Sequence, residues 1–172
     1  TLRTRTLKDD RYDPIIAHLE GMVSRDVITG VQKEGVLSRI TFETELKKAT
    51  ENADFIIECA PEVMETKQDL FAEIEKYCRK DAILATNTSV MSPTEIAAKC
   101  VNRERVVGAH FWNPGHLIPL VEVIKSDYTS DEVVELTMDV LRKAGKKPVL
   151  CKKDVPGFIA NRMQHALWRE AI

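Results

Sequence analysis

From Asp54 onward the chain alternates short β-branched runs with longer amphipathic stretches. The run "DFIIECA" has the length and composition of a strand. In the following "VMETKQDLFAEIEKYC", Val63, Leu70, Phe71, Ile74 and Cys78 fall near one face of a helix. "AILATNTSV" reads as a second strand running into a polar turn. "SPTEIAAKC" opens as a helix does, with Ser92 as N-cap, Pro93 at the first helical position and Glu95 three residues past the cap. "RVVGAHF" and "LIPLVEVI" are strand patterns joined by a turn. "TSDEVVELTMDVLRKAGKKPVLCK" predicts a capped helix, acidic in its first turn and basic in its last, stopped at Gly145 and followed by a strand. This alternation specifies an α/β fold around a mostly parallel sheet.

The ends differ from this middle. "DPIIAHLEGMVSRDVITGVQKEGV" begins as a helix and loses its period around Gly30 and Gly35, and "SRITFETELKKA" suggests a short strand and a short helix. Near the other end Pro156-Gly157 punctuates the chain before a new helical run that continues to Ile172. A helix starting there is expected to open a second domain.

Composition narrows the function classes. The chain has 172 residues, 44% apolar and 30% charged, enough for one domain with a core. Twenty-five basic against 27 acidic residues give a net charge of −2, without the basic footprint that nucleic-acid binding needs. No apolar run approaches the roughly 18 residues of a membrane span, and "TLRTRTLKDD" lacks the apolar stretch of a secretory signal. Neither nucleic acid nor membrane is therefore an expected partner. Cys59, Cys78, Cys100 and Cys151 are scattered without a CxxC pair, so no zinc site is expected. Cys59 and Cys151, in apolar strand-like runs, are expected to act as small hydrophobes. Reduced thiols fit a cytoplasmic location, with an organelle matrix as the other possibility.

Candidate chemistry collects at strand ends, where ligands of open α/β sheets bind. Asn87, Thr88 and Ser89 stand between a strand and the next helix and suit either ligand binding or turn formation. Glu62 lies at a helix start, where a carboxylate favours the positive end, and Lys67 one turn later has the position of a solvated helix residue. His110 closes a strand, and Glu122 alternates with Leu120 and Ile124, which points it where apolar side chains point. A buried carboxylate needs a partner. An imidazole held by it would have its other nitrogen free to take a proton near neutral pH. Spacing alone does not bring the two together.

Taken in order, "DFIIECAPE" with Lys67, "ATNTS", "GAHFWNP", "PLVEVI" and "VPGFIANR" resemble the L-3-hydroxyacyl-CoA dehydrogenase family, including its hydroxybutyryl-CoA members. The resemblance runs from about Asp54 to the end and is weaker from Arg11 to Lys48. It implies a Rossmann-like, doubly wound sheet forming a partial NAD-binding domain over residues 1–155. Residues 156–172 would then start a helical C-terminal domain of the kind through which the family forms homodimers. It also implies NAD as cofactor, L-3-hydroxyacyl-CoA as substrate and 3-oxoacyl-CoA as product, with no metal. By the same resemblance His110 is the general base and Glu122 the carboxylate that orients it. Ser89 hydrogen-bonds the substrate oxygen and Asn161 helps to position substrate. Glu62, Lys67, Asn87 and Asn113 match positions lining the NAD side of the cleft.

Three departures qualify the resemblance. The family's "NTSS" is "NTSV" here, with Val90 replacing a hydroxyl, and "NPGHLIPLVEV" carries His116 and Pro119 ahead of the strand. Similar wording occurs in relatives acting on small free hydroxy acids, the carnitine and gulonate dehydrogenases, and in a related lens crystallin. A free hydroxy acid as substrate and a non-catalytic, crystallin-like role are thus the alternatives. Finally, the family's opening strand, GxGxxG and acidic ribose ligand are not found: the seven glycines stand alone, and Thr1 falls near or after the second strand. The 172-residue chain by itself is accordingly expected to bind NAD weakly or not at all and to be inactive, as a piece of a longer enzyme.

Overall fold

The computed structural model describes residues 1–4, 6, 10 and 12–172. Of the stretch read for a targeting signal, Arg5, Leu7, Lys8 and Asp9 lie outside the described residues, as does Arg11. The chain forms two compact units, Thr1–Asn52 and Ala53–Ile172.

In the first unit, β1 (Leu2–Arg3) pairs in parallel with β2 (Phe42–Glu43). Three helices complete it: α1 (Asp13–Val23), α2 (Gly30–Leu37) and α3 (Leu46–Thr50). Helix α2 forms where the apolar period fades. Its start is fixed by a capping box in which the Thr29 hydroxyl accepts from Gln32 N at 3.2 Å and the Gln32 side chain accepts from Thr29 N at 2.7 Å. Local capping, not a buried face, specifies this helix, since none of its residues is buried.

The second unit is an α/β layer structure. Its sheet has the order β3 (Phe55–Glu58), β4 (Ile83–Thr86), β5 (Val106–Phe111), β6 (Leu120–Ile124) and β7 (Lys147–Cys151). All neighbours are parallel except β5 and β6, which are antiparallel. The connections carry α4 (Met64–Tyr77), α5 (Pro93–Ile96) and α6 (Asp131–Lys143), and α7 (Ala160–Ala171) follows β7. This is a Rossmann-like arrangement around a mostly parallel sheet.

Strand alternation sorts the sheet residues onto two faces. Ile83, Ala85, Val107, Ala109, Val121 and Val123 line one, and Leu141 of α6 completes that core. Helix α6 is laid against it by Val134, Thr137 and Leu141, one or two turns apart, and by its Ser130 cap, which accepts from Val133 N at 3.2 Å. Gly145, with φ +76°, ends the helix. The other face carries Leu84, Val106, Gly108 and Ile124, and α4 and α5 bury Phe71, Ile74 and Ile96. Ser92 caps α5 as expected, accepting from Glu95 N.

Two expectations need correction. Val63 was placed on the buried face of α4, but it is the residue before the helix and is 51% exposed. Cys59, expected to pack as a small hydrophobe, lies beyond β3 and is exposed, whereas Cys151 is buried as expected. Residues 156–172 cluster with the second unit.

Gly108 is where β5 and β6 press together. A Cβ there would lie 2.8 and 2.9 Å from Ile124 Cβ and Cδ1 and 3.0 Å from Pro93 Cγ. Gly108→Ala should therefore cost about 1–3 kcal/mol through overpacking, read as a lower urea midpoint. Gly115→Ala, whose nearest neighbour would be 3.9 Å away, should leave the midpoint in place.

Candidate active site

The antiparallel register of β5 and β6 sets His110 directly opposite Glu122, and alternation puts both on the Gly108–Ile124 face. Both side chains are buried, and His110 Nδ1 lies 2.9 Å from Glu122 Oε2. An ionised carboxylate only accepts, so the proton in this contact belongs to Nδ1 and leaves the Nε2 lone pair free.

Three more N–H groups converge on the same carboxylate. The Trp112 indole donates to Oε2 at 3.2 Å, and the backbone N–H groups of Ile159 and Ala160 donate to Oε1 at 2.9 and 3.0 Å. The last two are N-terminal donors of α7 that have no partner within the helix, so Glu122 caps α7 from another element. Burial pushes the Glu122 carboxyl up, but the hydrogen bonds from His110, Ala160 and Ile159 outweigh it and hold the group below the ordinary glutamate value. The chain is steered to this point by Gly157 and Phe158, both left-handed, at φ +77° and +51°. Phe158 buries its ring with the centroid 5.7 Å from that of His110.

Helix α7 also carries Asn161, whose Nδ2 donates to Ser89 O at 3.0 Å. Ser89 N donates in turn to Glu62 Oε1 at 3.0 Å, and the Thr88 hydroxyl donates to Glu62 Oε2 at 2.8 Å. Glu62 thus does not cap α4, the role its position suggested; its carboxylate reaches across to the end of β4. Asn87 joins strand ends: its N–H donates to Glu58 O, and its Oδ1 accepts from Phe111 N at 2.8 Å.

Lys67 is not the solvated residue its helical position suggests. It and Glu58 have side chains only 1% exposed, with Nζ 2.8 Å from Glu58 Oε1. Nζ also donates to Ala60 O at 3.0 Å and lies 3.9 Å from Glu62 Oε2. Glu58 further accepts from the Thr86 hydroxyl at 2.7 Å and from Ala60 N.

The structure therefore brings together His110 with Glu122, Ser89 with Asn161 and Glu62, and Lys67 with Glu62. Asn87 is tied to Phe111, next to His110. Asn113 stands apart: it is exposed, and its side chain makes no hydrogen bond among the described residues. Sequence reading missed Glu58, Trp112 and the α7 backbone donors. Alternation could have flagged Trp112, two residues past His110, and Glu58, at the polar end of an apolar strand. Nothing in the sequence marks the backbone donors.

Among the described residues no group of three or more His, Cys, Asp or Glu side chains could hold a metal. No helix of the described residues is long and apolar enough to cross a membrane. The Ser89 hydroxyl makes no hydrogen bond among the described residues, and the Glu62 side chain is 42% exposed. A free hydroxyl and a partly open carboxylate at the carboxyl ends of parallel strands suit the ribose hydroxyls and carboxamide of a nicotinamide nucleotide.

Fold and site together define a nucleotide-binding α/β domain with a histidine–carboxylate pair. The sequence matches the NAD-binding domain of 3-hydroxyacyl-CoA dehydrogenase over residues 4–155, and the chain belongs to that family, whose cofactor is NAD. It is 41% identical over 159 residues to a 3-hydroxyadipyl-CoA dehydrogenase of Escherichia coli K12, covering 92% of this chain and 33% of that protein. It is 37% identical over 147 residues to an L-carnitine dehydrogenase of a Pseudomonas species, covering 83% of this chain and 46% of the relative. Among solved structures, 3-hydroxybutyryl-CoA dehydrogenase from E. coli K12 superposes with a TM-score of 0.94 at 38% identity, over 99% of this chain and 36% of that one. The chain thus spans between a third and a half of the length of these relatives.

Two measurements test the site's physics. Lys67→Met should cost about 3–5 kcal/mol by stranding the Glu58 carboxylate, and adding Glu58→Gln should recover much of the loss, as a urea double-mutant cycle would read. For Glu122, a depressed folded-state value means stabilisation that is complete above the unfolded value of about 4.3 and lost as pH falls through the folded one. From about pH 5 downward the wild-type urea midpoint should drop more steeply than that of Glu122→Gln; parallel slopes would refute the assignment.

Proposed function

We propose that this chain is the cofactor-binding part of an NAD-dependent dehydrogenase that oxidises L-3-hydroxyacyl-CoA to 3-oxoacyl-CoA. The observation that carries the reading is the buried His110–Glu122 pair, with the imidazole Nδ1 2.9 Å from the carboxylate. In this mechanism His110 Nε2 takes the proton of the 3-hydroxyl as the alcohol becomes a ketone. Glu122 keeps the imidazole in the required tautomer and stabilises the imidazolium that forms. The Ser89 hydroxyl donates to the reacting oxygen, and Asn161, oriented by its bond to Ser89 O, positions the substrate. Glu62, Asn87 and Asn113 line the nicotinamide side, with Lys67 behind Glu62. NAD, when bound, supplies the acceptor for the hydride.

The match over residues 4–155 supports reading 1–155 as part of the NAD-binding domain and 156–172 as the start of a helical one. Exposed Met163, Leu167 and Trp168 on α7 support a homodimer contact through that helical region. Four free cysteines suit a reducing compartment, the cytoplasm in this reading.

A second reading keeps the chemistry and replaces the thioester by a small free hydroxy acid. The similarity to L-carnitine dehydrogenases favours it, as does the "NPGHLIP" wording between His110 and Glu122. In the full-length enzyme, His110→Gln should lower kcat at least a hundredfold, on the order of general-base loss, with NAD affinity little changed; retained turnover would refute the role. Comparing acetoacetyl-CoA with free 3-oxo acids as substrates separates the two readings. Turnover of neither would return the crystallin-like alternative.

A further inference from the structure

Trp112 takes no part in the roles assigned above, yet its indole N–H donates at 3.2 Å to Glu122 Oε2, the oxygen that also accepts from His110 Nδ1. The other oxygen is occupied by Ile159 N and Ala160 N. Two donors from the same strand end therefore share one lone-pair-bearing atom. The Trp112 ring lies beside the imidazole, with centroids 5.5 Å apart and planes inclined at 51°, and Phe158 stands at 5.7 Å. We infer that Trp112 is a positioning residue that shares the Glu122 oxygen with His110 and so limits how strongly that carboxylate holds the imidazolium, and this rests on the dehydrogenase reading of the site.

The argument is electrostatic. A hydrogen bond to a carboxylate draws charge toward its donor and weakens what the same oxygen offers a second donor. With Trp112 bonded, Oε2 stabilises the imidazolium less than a carboxylate with its charge undivided would. The carboxylate then favours the imidazolium over the neutral imidazole by less, and the neutral form is the one that accepts a proton from substrate. Trp112 also holds the imidazole from one side, which fixes the direction of Nε2. A residue without a ring N–H at this position would fill the space and leave the charge undivided.

The charged and titratable groups around Glu122 are few. His110 faces it across the sheet, Cys151 Sγ from β7 is 4.0 Å from Oε1, and the α7 N-terminus supplies only backbone dipoles at contact distance. Burial pushes the Cys151 thiol up to about 11, so it stays neutral across the range in which an imidazole titrates. Trp112 is thus the polar side chain, besides His110 itself, that donates to Oε2.

The test has two arms. The first uses the 172-residue chain and needs no turnover. Trp112 and Trp168 are its two tryptophans, so W112F assigns the Trp112 indole N–H resonance. That resonance should move upfield and exchange faster in E122Q; an indole signal indifferent to residue 122 would overturn the inference. The second arm uses the full-length enzyme with W112F and with benzothienylalanine at position 112, which keeps the ring and deletes only the N–H. In both, the acidic limb of the pH profile for alcohol oxidation should move up by about half to one unit. Rates below the limb should then fall about three- to tenfold, while the alkaline plateau and KM for NAD stay within twofold. A purely structural role for the ring would lower the plateau in W112F, spare the benzothienyl variant and leave the limb in place, which would also overturn the inference. If the wild-type enzyme oxidises neither hydroxyacyl-CoA nor free hydroxy acids, the dehydrogenase reading fails, and the indole arm still decides whether Trp112 acts on Glu122.

Discussion

A carboxylate charge sealed inside the protein has to be met by donors, and around Glu122 four N–H groups from two places in the chain do so. Left unpaired, such a charge would cost several kcal/mol. The geometry that satisfies it fixes much else. His110 must lie opposite in register, which requires the antiparallel β5–β6 pair in an otherwise parallel sheet. That pair closes up only because residue 108 has no side chain. The segment after β7 must turn through two left-handed residues to deliver the first N–H groups of α7. Asn161, one position further along, then comes to Ser89.

A second buried carboxylate, Glu58, lies on the same face of the sheet and is met by Lys67, the Thr86 hydroxyl and Ala60 N. Register joins the rows: Glu58 pairs with Thr86, Thr86 with Gly108, and Gly108 with Ile124. The face therefore changes from apolar to polar toward the strands' far ends, and the polar side chains there hold one another. Glu62 and Ser89 sit at the outer margin of this network. Hydrogen-bonding capacity is left over there for a ligand, which is what an open α/β sheet requires at its binding edge.

Much of this architecture is written in local patterns. The five strands of the second unit, the capped α6 and the Ser92 start of α5 follow from alternation and caps, because each buries one face against a neighbour that the pattern implies. Helix α2 escaped periodicity because it buries nothing; its capping box was the signal to read. The site was legible in its types but not in its pairings. Lys67 looks solvated on a helical wheel, because the carboxylate that buries it sits on the preceding strand. Glu62 looks like a helix cap until the turn after β4 supplies Thr88 and Ser89. The α7 donors are backbone atoms, and no residue type announces them.

The loop between His110 and Glu122 is hung from two stems whose register is fixed by the buried pair at their tips. Lys146 clasps it from below through the carbonyls of Gly115 and Ile118, and Lys147 N holds Pro119 O. The clasp grips backbone carbonyls and not side chains. Side-chain changes confined to residues 115–118 therefore leave these holds in place, together with the His110 and Trp112 bonds to Glu122.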